Sequence, residues 1–414
     1  MAVRVRHLYT SLRGFCLGAF SVLYAERDEL PFAFEEHASY GRPALYEYKP
    51  LVRGFVEDRA DRLARRVDAQ AALDDLAREP AAAIYACAHA GVKPDERRAL
   101  FMSVLLPLVV KTAELCGGFD WDDAAFDRAY AELESSLFGA GHSYAAVAPL
   151  IGVSVGAQVE LGGGIRVRAA ATGEFAELWP EAQGLLPEGF GREPDRLCVV
   201  ELQRALERGS AEAPDAAGEF ADAVTAVRLA TEGALAAGPV LFERLDWRPY
   251  GIRPVLPIAA TQPDGEPTRL DSFRGELAAE LRERLSAADD DPEFGEALDR
   301  WELSLFQAEP FGAEQRRESL VALLGGSDGM WAASVRASIL LGETPKHRGA
   351  LLARLRDESP PPDVVRRALV EVLMHGDRER LIATLDESIL GLRTPPPSYY
   401  ATRTASPTRA LAAS

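Results

Sequence analysis

Apolar residues return at every third or fourth position through most of the last third of the chain. This spacing places them on one face of an α-helix, and short stretches with Gly, Pro or Asp separate the segments. The predicted helices cover residues 273–285, 294–306, 313–324, 330–341, 348–355, 364–374 and 381–392. Short links between amphipathic helices are typical of a bundle with antiparallel neighbours. We therefore predict a C-terminal helical bundle over residues 271–393.

The N-terminal third follows the same helical period, almost without interruption over residues 48–137. Phe55, Ala60, Leu63, Val67 and Leu73 recur at intervals that suit one buried stripe. This pattern predicts a helical N-terminal domain over residues 1–140.

Two apolar segments of this domain resemble targeting or membrane sequences. Arginines precede residues 14–25, as in a secretory signal, but a cleavage after Ala25 would place Leu23 where a small residue is required. We interpret this segment as the first core helix, with export as the alternative. Residues 101–110 are interrupted by Pro107 and fall short of the ~20 residues of a membrane span. They predict a buried helix kinked at Pro107, and no membrane association.

The middle of the chain changes to a strand pattern. Residues 158–161 and 165–168 alternate apolar and polar side chains around three glycines, which predicts a β-hairpin. A phosphate-binding loop is disfavoured there because no Gly-Lys-Ser/Thr sequence follows. Strands are also predicted at 196–202 and 240–247, an edge strand or loop at 252–259, and a helix at 220–229. The fold class is mainly α, with a small α+β middle domain over residues 141–270.

The chain ends in a stretch rich in Pro, Ser, Thr and Ala, residues 394–414. Such a composition offers too little apolar surface to order a segment. We predict a disordered tail.

Composition limits the classes of function. The net charge of −18, from 64 acidic and 46 basic residues, argues against a broad surface for phosphate backbones, although a local basic pocket is compatible with it. Four scattered cysteines, Cys16, Cys87, Cys116 and Cys198, show no metal-ligand spacing. They are typical of reduced thiols in a cytoplasmic protein, and neither a metal nor a cofactor is expected.

Three acidic residues surround Trp121 just before an apolar helical stripe: Asp120, Asp122 and Asp123. Closely spaced carboxylates can bind a divalent cation, but acidic side chains are also expected at the start of a helix. Because no loop with the length and glycine pattern of a Ca²⁺ site follows, we predict a helix cap.

His375 and Gly376 close the most informative segment of the chain. They end an amphipathic stretch that begins at Asp363 and contains Arg366 and Arg367. This is the one place where a basic side chain and an imidazole lie close in sequence. In the simplest interpretation the two arginines are solvated, and His375-Gly376 is a helix C-terminus, where glycine permits the left-handed turn.

The C-terminal region resembles the HEPN superfamily of helical bundles, in particular the Apea-like HEPN group. The resemblance is carried by residues 297–306 (Ala-Leu-Asp-Arg-Trp-Glu-Leu-Ser-Leu-Phe), by the segments 314–324 and 331–342, and by His375-Gly376 with a helix after it. The α+β segment before the bundle is also similar to what precedes the bundle in that group.

The resemblance implies an RNA-binding or RNA-cleaving bundle, commonly dimeric. Active members use an Arg and a His separated by four to six residues; the His transfers a proton and the Arg neutralises the scissile phosphate. On this basis His375 and Arg367 are the candidate catalytic residues. Seven residues separate them, outside the family's range, and on a regular helix they lie ~12 Å apart along the axis.

Two hypotheses follow. The first is a non-catalytic HEPN-like interaction or assembly protein of the bacterial cytoplasm, which binds a protein partner or forms a homodimer through the C-terminal bundle. The alternative is a metal-independent ribonuclease of defence or toxin type that uses His375 with Arg367. Net acidity and the Arg-to-His spacing favour the first hypothesis.

Overall fold

A computed structural model of the chain describes its backbone over most of its length. The described residues are 5–37, 45–82, 85–86, 96–139, 141–179, 182, 184–188, 190, 197–207, 214–246, 248–287 and 290–399. The chain divides into two compact units, each made of several stretches. Unit one comprises Met1–Pro149, Ala169–Ala216 and Pro239–Pro254, and unit two comprises Leu150–Arg168, Ala217–Gly238 and Val255–Ser414.

The described elements alternate between helices and strands before the chain becomes entirely helical. The first are α1 (Arg6–Tyr24), β1 (Phe32–His37), β2 (Leu45–Pro50), α2 (Val52–Glu57), α3 (Ala60–Ala64), α4 (Val67–Ala77), α5 (Glu96–Leu100), α6 (Leu106–Cys116) and α7 (Asp123–Phe138). There follow β3 (Gly141–Ile151), β4 (Val153–Val155), β5 (Val159–Gly162), β6 (Ile165–Ala169), α8 (Glu174–Leu178), β7 (Cys198–Glu207), α9 (Ala216–Thr231), β8 (Ala236–Ala237), β9 (Val240–Leu245), β10 (Arg248–Pro254), α10 (Pro257–Ala260) and β11 (Thr268–Leu270). The last are α11 (Ser272–Ala287), α12 (Pro292–Ser304), α13 (Phe311–Leu324), α14 (Gly329–Leu341), α15 (Pro345–Asp357), α16 (Pro362–His375) and α17 (Arg378–Ile389).

Helices α1 to α7 bury one continuous apolar core in unit one. The predicted first core helix is confirmed, because α1 buries seven side chains along one face, from Leu8 to Leu23. The prediction of nearly unbroken helix from residue 48 is wrong in its details. Strands β1 and β2 pair antiparallel, so Tyr48 to Pro50 lie in a strand. Val67, predicted to be buried, is 87% exposed, because it is the first residue of α4 and lies outside the stripe.

The predicted buried helix around Pro107 is confirmed, and the irregularity begins before the proline. Residues Phe101–Leu105 form a π-helical turn between α5 and α6, and Pro107 lies in the first turn of α6. Proline cannot donate a backbone hydrogen bond, and a π turn is one way in which a helix accommodates such a defect. The helical stretch Arg97–Cys116 is long and apolar enough to cross a membrane, but 72% of its most apolar segment is buried inside the structure, as in the core helix of a soluble protein.

Besides the β1–β2 pair, the described residues of unit one contain a sheet with the strand order β10-β9-β3-β7. Strands β9 and β10 are antiparallel neighbours, with a bulge between Pro249 and Gly251, and β3 pairs antiparallel with β9. The predicted strands at 196–202 and 240–247 are confirmed over their described residues. A second apolar cluster, around Phe175, Trp179 and Phe242, covers one face of this sheet.

The glycine hairpin of unit two is confirmed. Strands β5 and β6 pair antiparallel, and Gly163 and Gly164 between them have φ values of 58° and 81°. Both values lie in the left-handed region that glycine adopts without strain, as a tight two-residue hairpin turn requires. Strands β4 and β11 form a separate parallel pair in the same unit.

All seven predicted C-terminal helices are present as α11 to α17, with ends shifted by a few residues. Helices α12 and α13 are antiparallel: Ser319 donates to the carbonyl of Ala297 at 2.6 Å, and Arg300 donates to Gln315 at 3.2 Å. From the first pair to the second, the residue number rises along α12 and falls along α13, which means that the two helices run in opposite directions. Taken together, the described residues form a mainly helical structure with a smaller content of strands, most of which pair antiparallel.

The predicted boundaries at residues 140, 270 and 393 stay predictions. The two compact units are divided at other points, and each consists of separated stretches of the chain. Of the predicted tail, residues 400–414 lie outside the described residues. Ser398 and the Tyr399 backbone N–H both donate to the carboxylate of Glu371 on α16.

Candidate functional site

His375 is the last residue of α16, as the helix C-terminus interpretation predicts. Gly376 follows with a φ of 78°, and its backbone N–H donates to the carbonyl of Val372. The imidazole is exposed, and its Nδ1 lies 2.9 Å from the carbonyl oxygen of Asp377. Because a carbonyl only accepts, Nδ1 carries the proton in this contact. The Nε2 atom is then the proton acceptor that His375 offers to solvent.

Arg366 is not the solvated residue that the sequence predicts. Its side chain is 8% exposed, and Nη1 donates to the carbonyl of Leu229 at 2.6 Å. Nη2 forms ion pairs with Glu232 and, at 2.7 Å, with Asp363. Arg366 thus ties α16 to the end of α9 because its guanidinium satisfies a helix-terminal carbonyl. It is not available to a substrate.

Arg367, the candidate phosphate clamp, lies two helical turns before His375 on the same helix. It is half-buried. Burial alone would raise the pKa of Asp363, but the hydrogen bonds with Glu232 and Arg366 outweigh burial and lower that pKa, and the charge of Arg367 adds a smaller effect in the same direction. Since α16 is continuous from Pro362 to His375, no break shortens the distance of ~12 Å along the axis. The described structure does not bring the two candidate residues into one pair, and their catalytic role stays a prediction.

Arg284 of α11 reaches the His375 end of α16 instead. Its Nη1 donates to the carbonyls of Leu373 and Met374, at 3.3 and 3.1 Å, and its Nη2 pairs with Glu280. A cation at the carbonyl end of a helix is stabilised by the helix dipole. No sequence signal indicates this contact, because Arg284 lies about ninety positions earlier in the chain.

A cavity of about 580 Å³ adjoins His375, between the ends of α11 and α16 and the starts of α12 and α17. Both arginines that line the cavity already have partners within the protein. Arg284 donates to the carbonyl end of α16, and Arg378 pairs with Asp291 at 2.9 Å and with Glu293 at 3.1 Å. The carboxylates that line the cavity are Asp290, Asp291, Glu293, Asp377 and Glu379. A scissile phosphate needs cations that are free to approach it. The charges beside His375 therefore suit a phosphate poorly.

No family model, curated protein or solved structure matched this chain. The HEPN resemblance consequently rests on the sequence features given above.

The acidic residues around Trp121 form a helix cap, as predicted. Asp122 accepts a hydrogen bond from the Ala124 backbone N–H at the start of α7. Asp123 accepts from Arg13 and from the Trp121 ring nitrogen. The carboxylates of Asp122 and Asp123 therefore already have partners within unit one.

Polar groups also meet on the sheet of unit one. Buried Glu243 accepts hydrogen bonds from Tyr144 and, at 2.7 Å, from Arg253. Burial, and then Glu243, raise the pKa of the Tyr144 hydroxyl. Nearby, His142 Nδ1 lies 3.0 Å from Asp246, whose φ is 58°. Each group has a structural partner.

A groove of about 400 Å³ lies in unit two, between α13, α14, α15 and the link that leads to α16. Trp331 at the start of α14 forms one wall and is 57% exposed. The Arg356 guanidinium lies 5.4 Å from the centre of the Trp331 ring. A large apolar side chain held beside a groove is a feature of partner-binding surfaces. Its exposure places Trp331 outside the apolar core of unit two.

Proposed function

We propose that this chain is a HEPN-like interaction or assembly protein of the cytoplasm, and that its C-terminal helices bind a polypeptide partner. The observation that carries the proposal is the groove beside Trp331. Aromatic and arginine side chains dominate the energetics of protein interfaces, and the groove wall combines Trp331, Arg317 and Arg356.

The charge distribution supports the same function. Around His375 the arginines are held by carbonyls and carboxylates, whereas Arg317 and Arg356 have no carboxylate partner among the described residues. Of the two places, the groove is thus the one whose arginines can pair with a bound partner. The alternative ribonuclease would require Arg367 and His375 to converge, which a continuous α16 does not provide.

Two measurements test the proposal. Purified wild-type protein, His375→Ala and Arg367→Ala are incubated with mixed RNA under a chelator; we expect intact RNA in all three. Cleavage that depends on His375 would establish the ribonuclease and reject the proposal.

In the second measurement, chemical cross-linking in cells compares the wild type with Trp331→Ala. Arg380→Glu serves as the control, since Arg380 is exposed on α17 and outside the groove. We expect a cross-linked species that Trp331→Ala loses and Arg380→Glu keeps. A cross-linking pattern that is identical in all three proteins contradicts the proposal.

A further inference from the structure

The floor of the Trp331 groove is closed and fixed by the fold. Ser334, Leu355 and Pro360 line it and are buried. Buried Arg316 donates from Nε to the carbonyl of Pro360 at 2.8 Å, which holds the link against α13. Ser334 donates to the carbonyl of Met330 at 2.8 Å. A binding surface that is ordered before the partner arrives loses less conformational entropy on binding.

The walls combine an aromatic face with two cations. The Trp331 ring is exposed on one side and is approached by Arg356 on another. Arg317 of α13 is exposed at the same groove. Glu358 is the one carboxylate that lines the groove among the described residues, and it pairs with Arg354 at 3.5 Å. Arg317 and Arg356 are thus an uncompensated positive pair in a chain with a net charge of −18.

The helix that carries Arg356 extends the positive surface. Lys346 is exposed in the first turn of α15, beyond the groove. A positive patch next to an apolar face is complementary to a segment with carboxylates beside an apolar side chain. A nucleic acid fits less well, because the strongly acidic protein as a whole repels a long phosphate backbone.

We infer that the groove receives an acidic polypeptide segment, with an apolar side chain packed on Trp331 and carboxylates paired with Arg317 and Arg356. The inference rests on the proposed partner-binding function and specifies the chemistry of the partner. Apolar contact with Trp331 provides the anchor, and the arginines select acidic segments over basic ones.

The test is fluorescence anisotropy with a labelled peptide of Asp, Glu and Leu residues, titrated with the full-length protein. A peptide in which Lys replaces every acidic residue serves as the probe control. We expect binding of the acidic peptide alone, weakened at least ~10-fold by Trp331→Ala and by the double variant R317E/R356E. Arg380→Glu makes the same charge reversal outside the groove and should bind as the wild type does. Circular dichroism establishes that each variant is folded.

The inference would be overturned by equal affinity for the Lys peptide, by unchanged affinity in the groove variants, or by preferential binding of a single-stranded RNA oligonucleotide. Sedimentation of the protein alone tests a second copy of the chain as the occupant; self-association that is lost in Trp331→Ala, without peptide binding, also overturns it. If the acidic peptide fails while the Trp331-dependent cross-link persists, the partner chemistry is wrong and the proposed function stands. If both fail, the proposed function falls as well.

Discussion

Arg366 and Arg367 are adjacent in sequence, but we expect their replacement to have very different effects on stability. Methionine at either position keeps an unbranched apolar stem and removes the charge. Arg366→Met leaves the Leu229 carbonyl without its donor, which costs about 1–3 kcal/mol for a buried group. The ion pairs with Glu232 and Asp363 add at most about 1 kcal/mol each, because both carboxylates are half-exposed.

The expected loss for Arg366→Met is about 3 kcal/mol in the free energy of unfolding, against less than about 1 kcal/mol for Arg367→Met. Urea unfolding followed by far-ultraviolet circular dichroism measures both. The urea dependence of the free energy should not change, which shows that the same surface is exposed on unfolding. Equal losses in the two variants, or no loss in Arg366→Met, would refute the structural role assigned to Arg366.

Three further predictions concern single contacts. Arg228→Met should lower the free energy of unfolding by about 3–5 kcal/mol in the same urea assay, because it leaves buried Glu302 without its ion-pair partner and three backbone carbonyls without their donor. A loss below about 1 kcal/mol contradicts this. Asp122→Ala should cost about 1 kcal/mol through the lost cap of α7, whereas Asp120→Ala should cost little; equal losses would reject the cap. Burial alone would raise the pKa of Asp291, but the hydrogen bonds from Arg378 and from the helix backbone outweigh it and lower that pKa. The contribution of Asp291 to the free energy of unfolding is therefore present above the unfolded pKa of 3.8 and is lost as the pH falls through the lower folded pKa. Asp291→Asn should make the free energy of unfolding depend less on pH below about pH 4, and an unchanged pH dependence contradicts this.

The C-terminal helices are predictable from sequence because apolar residues recur at helical spacing and the links between the helices contain Gly, Pro or Asp. Asp291 and Asp377 cap α12 and α17, and Gly376 ends α16, so local chemistry defines these boundaries. The hairpin of β5 and β6 is predictable for the same reason, since its turn requires residues with positive φ. In these elements, local preference and the final fold agree.

Strand β3 is not predictable from the sequence because its buried and exposed residues do not alternate. From Tyr144 to Leu150 every residue is buried, so the period of two that marks a strand with one wet face is absent. The Ala-rich sequence of β3 also has no strong β preference. Strand β2 overlaps a segment whose apolar spacing resembles that of a helix, but its pairing with β1 makes these residues a strand.

The candidate site is predictable only in part. His375 at a helix end follows from the glycine after it, but the partners of Arg366 and the position of Arg284 depend on contacts across about 90 to 140 positions. The Trp331 groove is not visible in the sequence either. Trp331 and Trp301 both lie in predicted helices, and the sequence does not distinguish them. Trp301 is buried, whereas the packing of α13, α14 and α15 leaves Trp331 exposed.

Nuclear magnetic resonance of the tryptophan indole groups tests the central claim most directly. The Trp331 indole signal is assigned by its loss in Trp331→Phe, and buried Trp301 provides an internal reference. During titration with the acidic peptide, we predict that the Trp331 signal shifts progressively to saturation and the Trp301 signal stays in place. A Trp331 signal that does not move while the peptide binds elsewhere, or that moves no further than Trp301, would contradict partner binding at the groove.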